Sequence, residues 1–112
     1  MAHAVFTIVS SVHPDRERAL RDVLAAIEHD PDANAYIRFG DFSGIHFASF
    51  TVFPDAEGRD TLLVFEHNVD LSIDAHLDTL VRQAAAGLTA IYRCCADFPV
   101  GEVDPSALRR YL

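Results

Sequence analysis

Two runs of β-branched, aromatic and aliphatic residues, Ile45–Phe53 (IHFASFTVF) and Thr61–Val69 (TLLVFEHNV), flank a connection that carries Pro54, Asp55 and Gly58. They read as the two arms of one antiparallel hairpin, on which the rest of the chain must pack. If the arms pair without a bulge, residues of equal parity share a face. One face then carries Ile45, Phe47, Ser49, Thr51 and Phe53 with Leu63, Phe65, His67 and Val69, rich enough in aromatics to sit under helices. The other carries His46, Ala48, Phe50 and Val52 with Leu62, Val64, Glu66 and Asn68. It is apolar near the turn and polar at the far end, which suits a subunit interface or a ligand cavity. A bulge or a slip of one residue would exchange the two lists.

The 112 residues suffice for one domain, 1–112, with a core that needs no covalent staples. The formal charge is −8, and all nine basic residues are arginine, with no cluster larger than Arg109–Arg110. Nucleic acid and anionic membrane are therefore not expected partners. The lack of lysine excludes Schiff-base catalysis and a lysine-dependent phosphate loop. Neither a signal peptide nor a membrane-length apolar run is legible, and the two cysteines, Cys94 and Cys95, are adjacent and cannot bridge distant segments. A reducing, cytoplasmic location is the expectation.

Ala4–Val12 reads as a first strand, with Phe6, Ile8 and Ser10 on one side and Val5, Thr7, Val9 and Ser11 on the other. His13-Pro14-Asp15 opens a helix whose Ala19, Leu20, Val23, Leu24 and Ile27 recur at helical spacing until Asp30-Pro31. Pro31–Ser43 is a long connection carrying Tyr36, Ile37, Phe39 and Phe42, so it either packs over the edge of the core or forms a lid. Beyond the hairpin, Asp70 or Ser72 caps a second helix with Ile73, Leu77, Leu80, Val81 and Ala84 in one stripe, and Gly87 stands where a helix ends. Leu88–Cys95 (LTAIYRCC) reads as a fourth strand, and the tail 97–112 carries a possible short helix from Asp104-Pro105. Strand, helix, strand, strand, helix, strand is the ferredoxin-like βαββαβ order: an α+β fold with a four-stranded antiparallel sheet and two helices on one face.

On the open face this reading gathers His46, Glu66 and Asn68, with Arg93 joining from the fourth strand beside Phe50 and Val64. A histidine, a carboxylate and an arginine against apolar walls make an acid/base site. His67 is expected to be a hydrogen-bonded core residue and His76 a boundary residue. No CxxC or HxxxH spacing announces a metal site.

With that strand order, the whole chain resembles the dimeric α+β barrel superfamily. The segments SVHPDR (11–16), GIHFASF (44–50), LLVFEHNVD (62–70), DAHLDTLV (74–81) and GLTAIYRCCADFP (87–99) also resemble an uncharacterised bacterial domain joined to longer oxidative-enzyme-like chains. The related pattern carries an arginine where this chain has Ser49 and Gly-His-Cys where it has Arg93-Cys94-Cys95. The resemblance implies a homodimer in which two sheets meet through their open faces.

The resulting expectation is a homodimer that holds a small hydrophobic or aromatic molecule between the open sheet face and the 31–43 loop, with no cofactor. His46 would act as general base, Glu66 and Arg93 would orient it and balance charge, and Phe50, Val64, Asn68, Tyr36 and Phe39 would line the site. The chemistry would be that of a cofactor-free cyclase, isomerase or monooxygenase. A non-catalytic module that dimerises or docks onto a larger oxidative enzyme, and a haem-binding peroxidase-like domain, are the alternatives.

Overall fold

The computed structural model describes residues 3–99 and 101–112, and within these the chain is a mixed α+β protein. Strand β1 (Ala4–Ser11) leads through a 3₁₀ turn at Pro14–Arg16 into helix α1 (Glu17–His29). Strands β2 (Ile45–Phe53) and β3 (Leu62–Val69) form the expected hairpin, and helices α2 (Ile73–Tyr92) and α3 (Pro105–Tyr111) follow. The three strands make an antiparallel sheet in the order β1-β3-β2.

Burial alternates along β1, which places Phe6 and Ile8 under the helices and Val5, Thr7, Val9 and Ser11 on the open side. From β3, Leu63, Phe65, His67 and Val69 point toward the helices. The hairpin is not regular. Ile45 pairs with Val69 but Phe47 pairs with Asn68, so His46 is an extra residue in β2. The bulge exchanges the two faces of that strand relative to the plain-hairpin reading. Ala48, Phe50 and Val52 join the covered core opposite His67, Phe65 and Leu63, while Phe47, Ser49, Thr51 and Phe53 face outward. Phe50, expected on the open face beside His46, instead stacks on Phe65 at 3.9 Å.

The segment from Leu88, expected as a fourth strand, is the C-terminal half of α2 as far as Tyr92. Leu77, Leu80, Val81, Ala84, Leu88 and Ile91 fall on one helical face, and all are buried, so one apolar stripe runs past Gly87. Gly87 does not end the helix. A Cβ there would lie 2.0 Å from the Tyr36 carbonyl oxygen, so the glycine lets the 31–43 loop pass against α2. A break in helical geometry at Ala84 redirects the second half of the helix. The chain does return to β1, but only briefly: Val12 and Cys95 form a single antiparallel bridge, with Ala96 N–H donating to Ser11 O and His13 N–H to Cys94 O. Consecutive groups of Val12 and His13 bond to opposite sides, the former to Thr61 O, so this bridge lies on the edge of β1 away from β3.

The 31–43 loop folds back over the core, as its aromatic content suggested. Ile37 is fully buried. Asn34 holds the loop's shape, its Nδ2 donating to Ile37 O at 2.7 Å while its Oδ1 accepts from the N–H groups of Tyr36 and Ile37. The tail does form a helix, α3, which Asp104 caps. It is held to α2 by buried Leu108 and by Arg109, which reaches Asp74 and Asp78 at 2.8 Å each.

Candidate functional site

Three strand ends meet at one end of the sheet. Ala4, Val69 and Ile45 form the last rung; His3 precedes it, Asp70 follows it, and His46 is the bulge residue beside it. The Asp70 N–H donates to Gly44 O at 2.8 Å, which fixes the aspartate against the start of β2. The bulge then presents the His46 ring to that aspartate, with Nε2 2.7 Å from Asp70 Oδ1. His3 Nδ1 lies 3.7 Å from the same oxygen. The His46 hydrogen bond holds the Asp70 carboxyl below its ordinary range, with His3 acting in the same direction. Solvent reaches all three side chains.

Glu66 is exposed on the open face, opposite Thr7 on β1 and Ser49 on β2. It lies four residues along β3 from Asp70, about 13 Å at the rise of a strand. His46 therefore has Asp70, and not Glu66, as its carboxylate. Arg93 sits just past the end of α2, where its carbonyl accepts from Arg16 Nη1 at 2.6 Å, and it does not join the sheet. The three residues expected to act together are thus in three places.

Of the expected lining residues, Val64 is buried at the centre of the open face and Asn68 lies on that face between Val5 and Phe47. Phe39 and Phe50 border the same cleft, on the covered side. They line it, a cleft of about 360 Å³ between α1 and the edge strand β2, together with Leu24, Ile27, Ala48 and Pro31, with Glu28 as its charged group. Tyr36 borders a separate cleft between the loop and α2, lined with Asn34, Arg38, Phe42 and Gly87.

A second histidine pair is buried. His67 Nδ1 and His76 Nε2 are 3.0 Å apart, and each residue is 1% exposed. The His67 ring stacks on Phe6 at 4.3 Å and contacts Phe65 at 3.8 Å. Burial, with His76 alongside, pushes its pKa down to about 3, and burial also lowers that of His76. His67 Nε2 has no partner among the described residues. A bare acceptor is less costly there than an orphaned N–H, so we assign the shared proton to His67 Nδ1, donating to His76. His67 is thus the hydrogen-bonded core residue expected from the sequence. His76, expected at the boundary, is equally buried, four residues before Leu80 on the stripe, whereas Ile73, expected on that stripe, is exposed. Cys94 and Cys95 are buried free thiols whose pKa values burial raises, that of Cys95 to about 12, which suppresses thiolate reactivity.

The cluster at the end of the sheet was missed in the sequence because Asp70 reads there as a helix cap. Ser72 is the actual cap, its Oγ accepting from Ala75 N–H. Comparison with protein-family models, curated proteins and solved structures gave no match. No helix among the described residues is long and apolar enough to cross a membrane.

Proposed function

We propose that the chain is a self-associating domain of the ferredoxin-like, dimeric α+β barrel kind that binds a small, largely apolar molecule. The observation that carries this reading is the placement of exposed apolar surface. Among the described residues five large hydrophobic side chains are exposed, and four of them, Val5, Val9, Phe47 and Phe53, lie on the open sheet face. A second copy is the occupant we assign to that face. Two such faces meet apolar rim to apolar rim, leaving the polar row Thr7, Glu66 and Ser49 at an enclosed centre. The Val12–Cys95 bridge supports the fold reading, because it occupies the edge of β1 on which a ferredoxin-like fourth strand would pair.

The ligand site we assign is the cleft lined by Phe39 and Phe50. Its apolar walls with a single carboxylate, Glu28, suit a small hydrophobic molecule. An enzymatic form of this reading, with proton transfer in a cyclase, isomerase or monooxygenase, uses His46 as base with Asp70 orienting its ring. That pair is not part of the cleft and would act on a molecule held between two sheets.

Light scattering on the wild-type protein and on Phe47→Glu tests self-association. The expected result is a dimer that Phe47→Glu converts to monomer, and a strictly monomeric wild type removes the proposal. Nile red fluorescence tests the cleft, where Ala48→Trp is expected to abolish dye binding and leave the dimer intact. Equal dye binding by that variant would rule the cleft out.

A further inference from the structure

We propose that His3, His46 and Asp70 form a binding site for a divalent transition-metal ion. The donor atoms of the three residues all lie within 4.8 Å of one another. One carboxylate oxygen is approached by two imidazoles, from His46 at 2.7 Å and from His3 at 3.7 Å, whose ring centroids are 6.1 Å apart at 44°. A first-row ion bound at about 2.1 Å to each donor holds neighbouring donor atoms about 3 to 3.5 Å apart. The two measured separations bracket that spacing, and rotation of the His3 side chain closes the third.

The backbone that brings these groups together belongs to the sheet. The site draws one residue from the end of each strand, and the Asp70 N–H bond to Gly44 O closes the rung beneath it. The β2 bulge is what turns the His46 ring toward Asp70, and bulges commonly serve to re-aim a side chain in this way. Without it Ile45 and Phe47 would pair in a regular ladder and no imidazole would stand beside the carboxylate.

The donor set selects the ion. Two imidazoles and one carboxylate suit Zn²⁺, Co²⁺, Ni²⁺ or Fe²⁺, whereas Mg²⁺ and Ca²⁺ require oxygen donors throughout. Three protein donors at a solvent-exposed position leave coordination sites for water or for an anionic ligand, the arrangement of a reactive and not a closed structural centre. With the metal bound, His46 is a ligand and not a free base. The site depends on neither self-association nor the cleft.

The test is titration of the purified full chain with Co²⁺, followed by visible d–d absorption, and thermal unfolding with and without Zn²⁺. The expected result is saturable binding of one equivalent in the micromolar range, with a raised unfolding midpoint. His46→Ala and Asp70→Asn, both at exposed positions, are expected to weaken Co²⁺ binding about tenfold or more while circular dichroism stays unchanged. His3→Ala is expected to do the same. Absence of saturable binding, or equal affinity in the variants, overturns the proposal. So does a thiolate-to-cobalt charge-transfer band, which places the ion on Cys94 or Cys95.

Discussion

The two histidine clusters are built from the same side chain at opposite extremes of solvation. His67 and His76 share a proton inside an apolar core, where an aromatic ring stacks on one of them and burial disfavours an imidazolium. His46 and His3 converge on a carboxylate in water. Burial makes the first pair a packing element that stays neutral, while exposure leaves the second open to a ligand from solvent. The same ring is structural in one place and chemical in the other, because the cost of charging it differs.

The sharpest way to break this contrast is truncation. His67→Ala removes a ring held between Phe6 and Phe65 and leaves both a cavity and an unpaired His76 nitrogen. The expected loss of stability is about 4 kcal/mol, measured by urea unfolding. A loss below about 1 kcal/mol would mean that the ring is not packed as described.

Acid titration separates the clusters next. In the folded chain His67 is held down to about 3, against an ordinary 6.5, so below pH 6.5 the unfolded chain takes up a proton that the folded chain refuses. This contribution is complete above pH 6.5 and is lost progressively as pH falls toward 3. At pH 4 the loss amounts to about 3 kcal/mol, and His76 acts in the same direction. His67→Phe keeps an aromatic ring against Phe6 and is expected to flatten the slope between pH 6.5 and 4. Asp70 works in a lower window: its carboxyl is held below the ordinary 3.8, so its contribution is present above that value and lost only as pH falls below it. Asp70→Asn should therefore leave the slope above pH 4 unchanged, and an equal flattening in both variants would erase the distinction.

Much of the fold could be read from the chain, for identifiable reasons. Period-two burial along β1, the apolar arms of the hairpin and the stripe of α1 are local patterns, and they appear where expected. Two misreadings also have physical causes. Gly87 looks like a helix terminator, yet its missing side chain serves the close passage of Tyr36, so α2 runs on through Leu88–Tyr92. The bulge at His46 has no local signature, since the β-branched and aromatic residues around it pattern equally well in either register. One inserted residue therefore moved Phe50 into the core, put Phe47 and Phe53 outside, and parted His46 from Phe50. The metal-type cluster depends on that bulge and on strand ends far apart in sequence, which no spacing rule connects.

The bulge itself can be removed. Deleting His46 leaves Ile45 and Phe47 adjacent opposite Val69 and Asn68, which is the register of an uninterrupted ladder, and every residue from Ala48 to Phe53 keeps its partner. The expected change in stability is within about 1 kcal/mol, because the deletion regularises the pairing and removes an exposed side chain. Unfolding by the deletion variant would show that the extra residue is needed for the twist of β2.

The smallest effect is expected from His46→Ala in metal-free buffer. The ring is exposed, and an exposed polar contact contributes little in water, so unfolding should shift only slightly. Its informative readout is Asp70. Loss of the imidazole removes the main influence that holds this carboxyl low, so its titration, followed by the carboxyl carbon resonance in NMR, should move up toward the ordinary carboxylate range. An unmoved Asp70 titration would mean that the 2.7 Å contact does not persist in solution. The exposed cluster would then be three separate side chains, and the contrast with the buried pair would reduce to burial alone.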